Sequence, residues 1–213
     1  MSRFATVDLL VNAITQDRTW RIREISDLKS LIEKADANQK KVLLRAAVTL
    51  CYAHWEGYVK YAAKAYLTFI TLRRHSYSQL KRQFLKNAFI PRLNALSNSR
   101  VSLKEKCELI DKILDGNLDR FVRYHPDLIY SDNLKTSAIE EICVICDIDA
   151  QYFLEKSDFI DIFLLKRRNS IAHGEETMIH ESDLLNLTDG TIELMRVFGD
   201  SLENNAVLGN YIN

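Results

Sequence analysis

The sequence predicts an all-α protein, an up-and-down helical bundle with a basic central insertion, and three observations carry that expectation. Only 6 Gly and 2 Pro occur among 213 residues, although these are the residues that make turns and stop helices. Apolar side chains recur at three- and four-residue spacing over long stretches, the pattern of amphipathic helices. No period-two alternation persists beyond a few residues and no internal repeat is present.

From Thr6 to about Lys34 the stripe is Val7, Leu10, Ile14, Ile22, Ile25, Leu28 and Ile32, with a polar break expected near Gln16 to Thr19. A longer helix starts near Asn38 and carries Leu44, Val48, Cys51, Trp55, Tyr58, Ala62, Tyr66 and Phe69 on one face as far as Leu72. The segment that follows to Pro91 is basic and expected to be partly irregular, and the run 97–99 has loop chemistry. Ser102 opens S-L-K-E, a capping box in which Ser and Glu satisfy each other's free backbone donors. That helix should end near Asp115-Gly116.

Tyr124 to Asn133 reads as a loop because the residue before Pro126 is pushed out of helical geometry. Thr136 to Cys146 is a short helix. Ser157-Asp158 opens another, F-I-D-I-F-L-L-K-R-R-N-S-I-A-H, apolar on nearly every side for two turns and then basic and polar, as expected of a helix that is buried first and surfaces at its end. The last helix runs from about Glu181 to Leu208, with a weak point at Asp189-Gly190. Hydrophobic residues make up 47% and charged ones 27%, so residues 1–213 read as one folded domain.

The N-terminal M-S-R-F-A-T-V-D lacks a signal peptide's apolar segment, and no uncharged apolar run approaches the ~18 residues of a membrane span. A cytoplasmic location and reduced cysteines are therefore expected. Cys143 and Cys146 have C-x-x-C spacing, but no second pair follows to complete a zinc site. On an apolar helix they pack as small hydrophobes.

The 29 basic and 29 acidic side chains sum to zero, which excludes a uniformly basic nucleic-acid binder that relies on charge alone. The distribution is uneven. Residues 57–104 hold ten Lys or Arg and no acid, residues 105–165 hold 14 acids against 6 bases, and residues 174–213 hold eight acids and one Arg. Lys60, Arg73 and Arg74 belong to the basic stretch, which is interleaved with aromatic residues. Cations beside rings suit a single-stranded RNA path. For Tyr58, Tyr66 and Phe69, core packing under a solvated face is the preferred reading, and the stretch could instead receive the acidic C-terminal helix of a second subunit.

Lys166, Arg167, Arg168, Asn169 and His173 cluster at the polar end of the penultimate helix. Asn169 and His173 are four apart and share a face, whereas Arg168 lies five before His173, about 140° round the axis. Loss of helical regularity toward Gly174 could bring Arg168 and His173 to one phosphate. An imidazole there can take the proton of a ribose 2′-hydroxyl, or as imidazolium protonate the leaving oxygen. A guanidinium can meet phosphate oxygens as charge accumulates in the transition state. The bare spacing occurs by chance about once in a chain of this composition, and Arg120 with His125 is a second copy. His125 precedes a proline in a loop, so context favours His173, for which a helix-capping role is the alternative.

R-R-N-S-I-A-H-G-E, together with C-Y-A-H-W-E-G-Y-V-K on the second helix, resembles the HEPN superfamily, helical proteins marked by an arginine, a polar residue and a histidine a turn later. More narrowly, the chain is similar to stand-alone bacterial HEPN proteins of restriction, abortive-infection and toxin–antitoxin neighbourhoods. The resemblance implies a helical bundle, commonly a homodimer, in which the motifs of two subunits form one metal-independent ribonuclease cleft with no cofactor. By position Arg168 and His173 match the defining pair and Asn169 the intervening polar residue.

On this reading Lys166, Arg167, Lys60, Arg73 and Arg74 hold the RNA backbone, and the biological role is that of a toxin or phage-defence effector. His54 and Glu56 are candidates for supporting roles, against a core histidine for His54 and an i, i+4 ion pair with Lys60 for Glu56. The competing reading is a non-catalytic module that acts as an antitoxin or defence-system partner or as a nucleotide-binding scaffold.

Overall fold

Thr6 begins the first helix by accepting the Leu9 N–H on its hydroxyl, and that helix, α1, runs Val7–Lys34. These positions come from a computed structural model, which describes residues 4–96, 102–114, 128–129 and 132–213. The polar break expected near Gln16 to Thr19 does not form. Asp17 and Arg21 pair across one turn at 2.7 Å, and the Thr19 hydroxyl donates to the Thr15 carbonyl at 2.7 Å, so the polar residues are satisfied within the helix.

Two residues later Asp36 and Gln39 form a capping box that starts α2, Ala37–Leu72. With so short a link α1 and α2 must pack antiparallel. The α2 stripe is the centre of the core: Trp55, Tyr58, Tyr66 and Phe69 are fully buried, together with Tyr52, which lies outside the predicted stripe. Trp55 stacks on Phe153 and meets Phe198 edge-on. The last helix, described below as α8, closes a three-helix bundle with α1 and α2.

After α2 the basic segment is more ordered than expected. A 3-10 turn at Tyr77–Gln79 leads into α3, Arg82–Leu96, with Pro91 inside the helix. The buried Asn87 amide donates to the Ile145 carbonyl at 2.7 Å, which ties α3 to the helix that carries Ile145. The C-terminus closes over the same end: Lys81 N–H donates to the Tyr211 carbonyl and Asn213 N–H to the Gln79 carbonyl.

Helix α4 is Leu103–Leu114, and its capping box forms as expected. Ser102 N–H donates to Glu105 at 2.8 Å, and Glu105 N–H donates back to the Ser102 hydroxyl at 3.3 Å. The expectations for 97–99, for Asp115-Gly116, for the loop as far as 127 and for the Arg120–His125 copy lie outside the described residues. Helix α5 spans Thr136–Cys146 and α6 Gln151–Glu155. Cys143 and Cys146 are buried. Burial pushes the Cys143 thiol up to about 12 and Cys146 upward as well, so both are protonated packing groups.

The penultimate helix is a π-helical segment, Asp158–Lys166, that continues as α7, Arg167–Ala172. It is less enclosed than its composition suggests. Ile160 and Leu164 are buried, whereas Ile162 is half exposed and the stacked pair Phe159 and Phe163 is partly covered. Helix α8, Asp183–Leu208, runs unbroken through the expected weak point. Gly190 serves packing instead: a Cβ there would stand 2.6 Å from the Phe159 ring. Among the described residues there is no strand, only an isolated bridge between Leu80 and Ile212, and no helix is long and apolar enough to cross a membrane.

Candidate ribonuclease site

Helix α7 ends in a hydrogen-bond pattern that fixes where its polar residues point. His173 is the C-cap, at φ −83° and ψ 3°. Gly174 follows at φ +80°, a left-handed conformation that glycine adopts without steric cost. Gly174 N–H then donates to the Ile171 carbonyl and Glu175 N–H to the Ser170 carbonyl, the paired bonds of a Schellman cap. Regularity is therefore kept up to Ala172, and the expected loosening toward Gly174 is replaced by a sharp stop. His173 leaves this cap exposed to solvent.

Arg168 turns the other way, toward α2. Its Nη1 donates to Asn169 Oδ1 at 2.8 Å and to Asn133 Oδ1 at 3.4 Å, and its guanidinium carbon lies 4.5 Å over the Tyr52 ring. Nη2 stands 4.0 Å from Glu56 Oε2, too far for a hydrogen bond. Arg168 and Asn169 thus meet, and no contact joins Arg168 to His173 among the described residues. Five helical residues separate them by about 7.5 Å of rise as well as 140°.

Glu56 sits where α2 faces Arg168, and Lys60 donates to it at 2.6 Å. Tyr52 is one turn before Glu56 on the same face. Burial, with help from Glu56, pushes the Tyr52 phenol up to about 12, against the opposing pull of Leu134 N–H and Arg168. It is therefore a neutral hydroxyl, and it accepts the Leu134 N–H at 2.8 Å. His54, two residues from both Tyr52 and Glu56, lies about 200° round the helix from each. Its Nε2 is 2.8 Å from Glu24 of α1 and its ring meets Trp20 edge-on. His54 belongs to the α1–α2 contact, away from Arg168. Burial lowers its pKa although Glu24 pulls in the opposite direction.

The remaining cations divide by position. Lys166 is exposed beside the motif. Arg167 lies 4.0 Å over the Phe163 ring and pairs with Asp183 at 2.9 Å, so it clamps α7 to the start of α8. Arg73 and Arg74 are exposed at the far end of α2. Seventeen residues past Glu56, they stand about 25 Å along the axis from the motif. Of the rings in the basic stretch, Tyr58, Tyr66, Phe69 and Phe84 are buried in the core and unavailable for stacking on bases.

Sequence reasoning passed over Tyr52 and Asn133. A search one turn either side of Glu56 would have found Tyr52. Nothing local marks Asn133, which is 35 residues from Arg168 along the chain.

The RiboL-PSP-HEPN family model matches residues 16–204. The chain belongs to this family. The HEPN match spans α1 to α8 and includes the Arg168–Asn169–His173 motif, so the bundle and the motif fall within one family unit. HEPN proteins of this kind are typically ribonucleases, and RNA is the substrate class the family suggests. No curated protein and no solved structure matches the chain.

Proposed function

We propose that this HEPN protein is a metal-independent endoribonuclease that acts as a homodimer, with Arg168, Asn169 and His173 as the working residues. The observation that carries the reading is the family match over 16–204, within which Arg168 is already held by Asn169 at 2.8 Å.

In the proposed reaction the 2′-oxygen of a ribose attacks the adjacent phosphorus and the P–O5′ bond breaks. One neutral His173 imidazole removes the 2′-hydroxyl proton, and the second subunit's copy, as imidazolium, returns a proton to the departing 5′-oxygen. The products are a 2′,3′-cyclic phosphate and a 5′-hydroxyl end. Arg168 stabilises the charge that builds on the non-bridging oxygens, and Asn169 orients its guanidinium.

The divergence of Arg168 and His173 within one chain supports the dimer: a second copy can bring its own histidine opposite an arginine that points elsewhere in its own subunit. Lys166 and the exposed cations at the end of α2 supply backbone affinity in this reading. A toxin or phage-defence role follows from the family resemblance.

Labelled single-stranded RNA incubated with the protein in EDTA tests the proposal. Cleavage is expected from the wild type and loss of it from His173→Ala and Arg168→Ala, with cyclic-phosphate ends. Cleavage that persists in both variants would overturn the site assignment. RNA or protein binding without any cleavage would establish the non-catalytic module instead. Light scattering is expected to give twice the 24.7 kDa chain mass, and a strict monomer would remove the composite cleft.

A further inference from the structure

We propose that Tyr52 and Asn133 are positioning residues that fix the plane and direction of the Arg168 guanidinium, the ring directly and the amide through a loop that Tyr52 itself anchors. The kinetic part of this inference rests on the ribonuclease reading; the positional part does not.

A guanidinium is a flat fork with five N–H donors in its plane. Its usefulness to a phosphate therefore depends on which way the plane lies. The Tyr52 side chain is fully enclosed in the core, so its ring cannot swing, and Arg168 rests on its face at 4.5 Å. That contact sets the plane. Rotation within the plane is set by Nη1, which donates to both Asn169 and Asn133. With the Nη1 hydrogens committed, Nη2 and Nε carry the remaining donors. Glu56 Oε2 stands 4.0 Å from Nη2, beyond hydrogen-bond distance, so these donors are the ones that can meet phosphate oxygens.

Asn133 is exposed and needs its own support. Its neighbour Leu134 is buried and donates its N–H to the Tyr52 hydroxyl at 2.8 Å. Two residues on, Thr136 N–H donates to Asp161 on the π-helical segment at 2.7 Å. The chain from 133 to 136 is thus fastened to α2 and to the segment that leads into the motif. Tyr52 is the residue common to both constraints, since its face carries Arg168 and its oxygen carries the loop that holds Asn133.

Three variants of the full chain separate these contributions. Tyr52→Leu removes the ring face, Tyr52→Phe keeps the face and removes the acceptor, and Asn133→Ala removes one in-plane partner from an exposed position. Each is read by the Arg168 Nε–Hε nuclear magnetic resonance signal, assigned through Arg168→Lys, by hydrogen exchange at Leu134, and by RNA cleavage. Tyr52→Leu is expected to move the Arg168 signal to the position of a free arginine and to lower kcat by at least about tenfold with KM changed less than about twofold. Tyr52→Phe is expected to keep the stacked Arg168 signal, speed exchange at Leu134 by about tenfold, and lower kcat less than Tyr52→Leu. Asn133→Ala is expected to shift the Arg168 signal partway.

An Arg168 signal unmoved in both Tyr52→Leu and Asn133→Ala overturns the inference. If Tyr52→Leu does not fold, unchanged Leu134 exchange in Tyr52→Phe together with an unmoved signal in Asn133→Ala overturns it equally. A protein that cuts no RNA yet shows the expected Arg168 shifts retains the positioning role and loses the ribonuclease reading.

Discussion

Gly199 on α8 offers a sharp test of how the bundle fixes α2, the helix that carries Tyr52 and Glu56. A Cβ built at Gly199 overlaps the Tyr58 hydroxyl and stands 2.9 Å from Arg18 Nη1. Glycine to alanine inside an ordinary helix gains about 1 kcal/mol from propensity alone. Here the ring below is fully buried and cannot withdraw, and forcing an extra methyl into a filled core costs about 1–3 kcal/mol. The overlap places Gly199→Ala at the upper end, for a net loss of about 2 kcal/mol. In a chain of this size that lowers Tm by roughly 4–8 °C.

Among the described residues the buried Tyr58 hydroxyl has no hydrogen-bond partner, so Tyr58→Phe alone should be nearly neutral. Combined with Gly199→Ala it should recover most of the loss. Urea unfolding of the two single variants and the double variant closes the cycle. Simple additivity within about 0.5 kcal/mol, or a Gly199→Ala protein as stable as wild type, would refute the reasoning. Gly57 is the softer comparison: its added Cβ meets only the Arg21 side-chain end at 2.8 Å, whose retreat disturbs the Asp17 pair but no core ring, so Gly57→Ala should cost less than Gly199→Ala.

Gly174→Ala should cost about 1–2 kcal/mol in thermal unfolding, because φ +80° places a Cβ against the backbone, while Gly174→Asn should cost less. His54 gives a pH dependence. Its pKa is depressed in the folded state by burial, so the unfolded chain binds the extra proton first, and the stability it contributes is present above the ordinary histidine value of about 6.5 and lost as pH falls; unfolding measured between pH 8 and 5 should show this slope, reduced in His54→Gln. Arg73→Ala with Arg74→Ala should weaken single-stranded RNA binding by His173→Ala protein and lower the slope of log affinity against log salt by about 1.4, whereas an unchanged slope would place the RNA elsewhere.

Helix positions were legible in the sequence because burial of one face imposes a period that no other constraint disturbs. The α2 stripe from Leu44 to Phe69 and the Ser102–Glu105 capping box appear as read. Breaks were less legible: Gln16 to Thr19 and Asp189-Gly190 each carry a local signal that pairing or packing overrides, and α3 runs through Pro91. Asp17 with Arg21 spans the first, and Phe159 fills the space above Gly190.

By itself the sequence determined the fold class, which is written in local spacing, and it singled out Arg168, Asn169 and His173 as the expected site through their context and the family resemblance rather than through spacing alone. Only the tertiary structure decided what surrounds that motif. It turned Arg168 inward onto Tyr52, brought Asn133 to it from 35 residues away, and left His173 outside on a Schellman cap. It also separated His54 from Glu56, two residues apart, onto opposite sides of α2, and carried Arg73 and Arg74 to the far end of the same helix. The physical reason is that spacing specifies a direction around one helix axis, whereas the partner found in that direction is chosen by how the helices pack.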